Sequence, residues 1–217
     1  MSGLPQVHPA GKPAHSPPDA RHQSITVNHR LTVFIEQPPE FVRKLYPSAV
    51  WRMDPDERAV YLTFDDGPIP EVTPWVLDLL DKYDIKATFF MVGDNIRKHP
   101  DEFQMVVERG HRIGNHTFNH LRGFEYNFKD YLANAEKANE VMKTDLFRPP
   151  HGHMGWTQYM ILKRRYKIIM WDLVTRDYSK KLRGPQVLAN VMRYARNGSI
   201  ITVSYTHLRA HETVLDL

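Results

Sequence analysis

The chain contains no cysteine. That absence excludes disulfides, thiolate metal sites and a cysteine nucleophile. No run of about 18 apolar residues occurs, so no membrane-spanning helix is expected. Neither sign of charge dominates: 29 Lys and Arg stand against 25 Asp and Glu, a net charge of +4. The positive residues are scattered, so a nucleic-acid footprint is not indicated. The basic start and apolar core of a secretory signal are missing too, and no export signal is expected on the chain as written. What remains is 41% hydrophobic and 25% charged over 217 residues. That make-up suits one globular domain with a sizeable core and excludes a fully disordered or fibrous chain.

The ends differ from the middle. Residues 1–31 hold Pro5, Pro9, Pro13, Pro17 and Pro18, with His8, His15, His22 and His29 recurring at every seventh position. The prolines forbid a helix there, so the spacing cannot make a histidine stripe, and the segment reads as a disordered leader rather than a metal-binding tail. Residues 32–57 read as a lead-in, with Phe34, Phe41, Leu45 and Trp51 available to pack. The last stretch, SYTHLRAHETVLDL (204–217), lacks strand alternation and helix signals and reads as a non-native tail.

Between them, strands and helices alternate. AVYLTF (59–64), KATFFMV (86–92), RIGNH (112–116), LFR (146–148), KIIMW (167–171) and GSIITV (198–203) read as strands. Thr73 caps a helix with Pro74 at its first position, Pro100 opens one through Glu108, and Asn127 caps a longer one with Tyr131, Ala135, Ala138 and Met142 on one face. Further helices cover Trp156 to Arg164 and Pro185 to Arg196. Such alternation predicts an α/β fold, a parallel sheet covered by helices, with reactive residues just past the strand C-terminal ends.

Three motifs fall at those ends. TFDDG (63–67) puts two carboxylates side by side where successive side chains diverge, so one can bind a metal while the other faces substrate as a base. HTFNH (116–120) spaces two histidines to share one face of a helical turn and chelate one cation. Asp66, His116 and His120 together supply a carboxylate and two imidazoles, leaving positions for water and substrate. In RPPHG (148–152), Arg148 ends a strand and is placed to hold Asp65 ionised and aimed. Aromatic residues Trp75, Phe118, Tyr126, Trp156 and Tyr178 lie in or near this loop face; Trp75 reads as core.

The order strand-DD, HxxxH, RPP resembles the polysaccharide deacetylase family, also called the NodB-homology or carbohydrate esterase family 4 group, over residues 58–203. The resemblance implies a distorted parallel (β/α) barrel, here without its last strand or strands and helix. It implies Asp65 as general base with Arg148 beside it, and Asp66, His116 and His120 as ligands of one divalent ion, usually Zn2+, with Co2+ or others accepted. Pro149, Pro150, His151 and Gly152 form the substrate-side loop, with a backbone N–H for the oxyanion. Asp177, followed by Tyr178, is the nearest match to the family's aspartate-and-aromatic motif and joins that loop as a substrate-binding residue, with Asp172 also in that zone. The family's acid is a histidine after a strand like GSIIT; here His207 is near but out of register, and His211 is further off. The implied reaction is removal of N-acetyl groups, sometimes O-acetyl groups, from an N-acetylated glycan or small acylated sugar. Two rivals share the triad. One is a glycan binder without turnover. The other is an iron-dependent oxygenase, whose usual β-sandwich does not fit the strand–helix alternation.

Overall fold

The computed structural model describes residues 36–179 and 182–204. The histidine-bearing leader, Phe34, and His207 and His211 of the tail lie outside the described residues. Within them, a short α1 (Glu40–Leu45) precedes β1 (Tyr61–Asp65), α2 (Thr73–Lys82), β2 (Thr88–Met91), α3 (Gly93–Lys98), α4 (Pro100–Glu108) and β3 (Arg112–Asn115). Then come α5 (Phe128–Met142), β4 (Leu146–Phe147), α6 (Trp156–Leu162), β5 (Lys167–Ile168), β6 (Leu173–Val174), α7 (Gly184–Tyr194) and β7 (Ile200–Ser204).

Local chemistry explains the best-defined helices. Asn127 caps α5, its side-chain oxygen accepting the Asp130 N–H at 3.0 Å, and Tyr131, Ala135, Ala138 and Met142 all point inward. Their spacing of four, three and four residues is one helical face. In α2 the buried residues Val76, Leu77 and Leu80 pack on β1 and β2 through Phe64 and Phe89, each contributing about 2 kcal/mol of burial. Thr73 is the first residue of α2 rather than its cap; its hydroxyl instead accepts the Ile69 N–H, 2.8 Å away.

All six strand pairings are parallel, in the order β5-β4-β3-β2-β1-β7-β6. The sheet must curl, and chain length shows why. Laid flat, seven strands would hold their outer members about 29 Å apart. Yet β5 and β6 are those outer strands, and only Ile169–Asp172 joins them, a link that spans at most about 17 Å. The sheet therefore bends into a distorted (β/α) barrel. The lead-in sits across the remaining seam. Val50 exchanges hydrogen bonds with Ile168 and Met170, both at 2.8 Å, and Arg52 bridges to Ser199.

Three elements were not foreseen: α1, α3 and β6. Gly93 opens α3, and a side chain there would come within 2.6 Å of the Phe118 ring. The two-residue β6 is too short to register as a pattern. Among the described residues no helix is long and apolar enough to cross a membrane.

Candidate metal centre

Alternation along β1 sends Phe64 outward into the helix-covered core and turns Thr63 and Asp65 into the barrel. Asp66 leaves the strand in the left-handed region, with φ of 80°. That conformation is unfavourable for a residue with a Cβ and must be held by its surroundings. Here the Asp66 N–H donates to the Phe90 carbonyl at 3.1 Å, and Asn95 donates to the Asp66 carbonyl at 2.7 Å. The carboxylates consequently diverge, as the sequence suggested: Asp65 turns towards Arg148, Asp66 towards two histidines.

Those histidines are brought together differently from the expected helical turn. Residues 116–120 form no helix; Thr117 and His120 both have positive φ, 64° and 55°. The loop is pinned from α5 and β3. Asn115 accepts the Thr117 N–H at 2.8 Å while donating to Ala135, and Asn134 of α5 accepts the N–H groups of Phe118 and Asn119. The result still serves chelation. Asp66 Oδ1 lies 3.0 Å from His120 Nε2 and 3.6 Å from His116 Nε2, and the three ligand atoms all fall within 4.8 Å of one another.

The donor set fits a cation. His116 Nδ1 lies 2.8 Å from the Arg148 carbonyl. A carbonyl only accepts, so Nδ1 carries the proton and the neutral ring's Nε2 presents a lone pair. That lone pair faces a carboxylate, an arrangement that calls for a proton or a metal ion between them. The titration behaviour agrees. Burial would raise the Asp66 pKa, but the hydrogen bonds and charge of His116 and His120 hold it well below the carboxylate range. Burial likewise opposes charge on His116, yet Asp66 and Asp65 push its pKa above the ordinary histidine value.

Arg148 is fully buried and crosses the barrel interior. Its Nη1 donates to Asp65 Oδ1 at 2.6 Å and to Thr63 Oγ1 at 2.7 Å; Nη2 and Nε donate to the Met170 and Ile169 carbonyls at 2.9 and 3.1 Å. The Phe90 ring lies 4.1 Å beneath the guanidinium. Burial lowers the Arg148 pKa and the Asp65 charge opposes that shift. The Asp65 Oδ2 atom has no protein donor among the described residues.

The loop after Arg148 closes the rim. Pro149 and Pro150 are buried and have no N–H; Gly152 donates to the Pro149 carbonyl at 2.9 Å. His151, at φ 58°, keeps the one amide of this turn without an acceptor among the described residues, and its ring stands 4.8 Å from that of His120. Gly152 has no alternative: a Cβ would lie 2.6 Å from the Trp171 ring. Asp177 sits apart, fully buried, accepting the Ser204 N–H at 3.0 Å and the Thr175 hydroxyl. It is linked to the centre through Ser204, whose hydroxyl is 3.4 Å from Asp66. Asp172, its neighbour in the same zone, bonds Arg43, Arg196 and Ser199 instead. Phe118 belongs to the core, while Tyr126, Trp156 and Tyr178 remain exposed. Thr63 was not singled out from the sequence, although its position two residues before Asp65 puts both on one strand face.

Comparison with known proteins leads to the same family. The polysaccharide deacetylase family model matches residues 52–165. A peptidoglycan-N-acetylglucosamine deacetylase of Bacillus cereus is 34% identical over 160 residues, covering 70% of this chain and 74% of that one. A chitooligosaccharide deacetylase of Rhizobium leguminosarum bv. trifolii is 46% identical over 153 residues, covering 67% and 71%. The crystal structure of the Bc1960 peptidoglycan N-acetylglucosamine deacetylase, bound to a substituted benzamide, superposes with a TM-score of 0.72 at 31% identity, over 81% of this chain and 86% of that one. Other relatives are longer, and the chain spans only 33% of one from Bacillus subtilis. Motif order, barrel topology and these matches agree that the chain belongs to the polysaccharide deacetylase family.

Proposed function

We propose that the chain is a metal-dependent hydrolase that removes N-acetyl groups from an amino-sugar glycan, releasing acetate and a free amine. The observation that carries this reading is the Asp66–His116–His120 cluster beside a carboxylate, Asp65, that Arg148 grips from inside the barrel. The catalytic domain on this reading is residues 58–203. Mixed nitrogen and oxygen donors with open positions suit Zn2+, and Co2+ fits the same set. A divalent ion held there supplies Lewis acidity, polarising the acetyl carbonyl and lowering the pKa of bound water.

The chain's own groups do the rest. Asp65 accepts the water proton on Oδ2 as the water oxygen bonds to the carbonyl carbon. Arg148 fixes the direction of that carboxylate through Oδ1, so the base does not rotate towards Asp66. The His151 N–H is a donor available to the oxygen that gains charge, and Pro149 and Pro150 stiffen the turn that carries it. Asp177 acts as a support for the end of β7. The carbon–nitrogen bond then breaks, and the amine takes up a proton. The resemblance puts the donor of that proton after β7, where His207 is the nearest histidine.

The test is acetate release from tetra-N-acetylchitotetraose by the zinc-loaded full chain. Turnover should vanish with chelator and return with Zn2+. Asp65→Asn should lower it about 10²–10⁴-fold, while elemental analysis still finds one equivalent of zinc. Activity that survives both treatments would overturn the assignment. Binding of the oligomer with no turnover in zinc-loaded wild type would favour a glycan-binding role instead.

A further inference from the structure

Outside the metal centre, one exposed feature is built more firmly than its position requires. The turn Gly123–Glu125, a single 3₁₀ turn, lies against the segment that follows the RPPHG loop. Its Gly123 N–H donates to the His153 carbonyl at 3.1 Å. The buried side chain of Gln158 staples both segments: its Nε2 donates to the Gly123 and Tyr126 carbonyls at 2.8 and 3.0 Å, and its Oε1 accepts the Gly155 N–H at 2.8 Å. Gly123 permits that approach, since a Cβ there would lie 2.4 Å from the His153 carbonyl oxygen.

This stapling holds two exposed rings in fixed relation. Phe124 is 66% exposed, and its ring centroid is 5.3 Å from that of His153, the planes tilted by 37°. From His153 the rings continue inward. The next, His151, is 5.9 Å away, and His151 stands 4.8 Å from His120 of the metal centre. A row of rings, tilted or edge-on to one another, thus leads from the ion-binding cluster to a phenylalanine in solvent. Three hydrogen bonds of the Gln158 side chain thus fix the turns beneath this uncovered ring.

We infer that Phe124 and His153 form a stacking shelf for a sugar ring next to the one being deacetylated, and so set a preference for oligomers over single sugars. The inference rests on the glycan reading above and extends it to chain length. A pyranose presents axial C–H groups of slight positive charge on an otherwise apolar face, and an aromatic face is the complementary negative surface. The sugar hydroxyls stay in water around the rim. Because the rings are already fixed, little conformational freedom is lost on binding. Phe124 is therefore a specificity residue and takes no part in the chemistry at Asp65.

The test compares wild type, Phe124→Ala and Phe124→Trp, all zinc-loaded, on N-acetylglucosamine and tetra-N-acetylchitotetraose. Being exposed, Phe124 can be truncated without disturbing the fold, which a thermal melt checks. For the tetramer, Phe124→Ala should raise KM roughly tenfold with kcat nearly unchanged, a loss of the size of one stacking contact. For the monosaccharide neither constant should move, and Phe124→Trp should restore the tetramer KM. Equal effects on both substrates, or none on the tetramer, would overturn the shelf. If wild type releases no acetate from either sugar, the deacetylase reading fails. The shelf is then read by calorimetry with the tetramer, where an unchanged dissociation constant in Phe124→Ala would overturn it.

Discussion

Replacing Asp172 by asparagine should remove a pH-dependent clamp while leaving the Asp66–His116–His120 cluster intact. Asp172 is fully buried in the link between β5 and β6. Arg43 of α1 donates to it at 2.8 Å, Arg196 donates through Nη2 at 2.9 Å and Nε at 3.1 Å, and the Ser199 hydroxyl donates at 2.8 Å. Burial alone would raise the Asp172 pKa; the bonds from Arg196, Arg43 and Ser199 outweigh it and bring the value from 3.8 to about 2. A carboxyl stabilised in its ionised form contributes stability that is fully present above its unfolded pKa. That contribution fades as pH falls towards the folded value. At pH 7 this amounts to about 2 kcal/mol, and somewhat less at high salt because Arg196 is half exposed. For a chain of this size that is a melting-temperature difference of about 4–8 °C. Thermal and urea melts of wild type and Asp172→Asn should therefore diverge at pH 6–7 and converge between about pH 4 and pH 2. Zinc content should be the same in both. A stability gap that stays constant down to pH 2 would refute the argument, since it would arise from shape and not from charge.

Two further substitutions probe the support beneath Asp65. Thr63→Val removes the hydroxyl that accepts from Arg148 and donates to the Ile201 carbonyl at 2.9 Å. It should cost about 1–3 kcal/mol in urea melts and lower kcat without changing zinc content, whereas Thr63→Ser should restore both; an unchanged kcat in Thr63→Val would show that Arg148 holds its place unaided. Gly114→Ala puts a Cβ within 2.3 Å of the Phe90 ring, which is itself packed under Arg148. It should destabilise the fold by about 1–3 kcal/mol and reduce acetate release, and full activity together with unchanged stability would contradict the tight stacking described above.

Much of this was legible in the sequence because the signals were local. Pro100 opens α4, and Asn127 with its apolar face marks α5, since caps and periodicity act within a turn or two. Asp66, His116 and His120 stood out because few roles besides metal binding want that donor set after strand ends. The conformation of the histidine pair was not legible. Spacing of four fits a helix, but the loop takes its shape from Asn115 and Asn134, and the contact with Asn134 is set by tertiary packing. The lead-in was read as mere packing, yet Val50 and Arg52 sit in the seam of the barrel, a relation that joins residues more than a hundred positions apart. Gly93 and Gly123 are silent for a similar reason: what each glycine makes room for lies in another part of the chain. The shelf residue Phe124 carries no motif at all, and only its geometry beside His153 distinguishes it from a surface aromatic.

Arg148 combines two duties that many enzymes assign to separate residues. Its guanidinium aims Asp65 and also binds β1 to the segment joining the outer strands, with every arm used inside the barrel. Evolutionary routes away from activity are therefore unequal. Descendants that abandon hydrolysis can discard the histidines and remain folded, but losing the arginine would strip the donor from Thr63 and Asp65 of β1 and from the Ile169 and Met170 carbonyls at once. In a lineage drifting towards a silent scaffold, the arginine should be the last of the reactive residues to disappear.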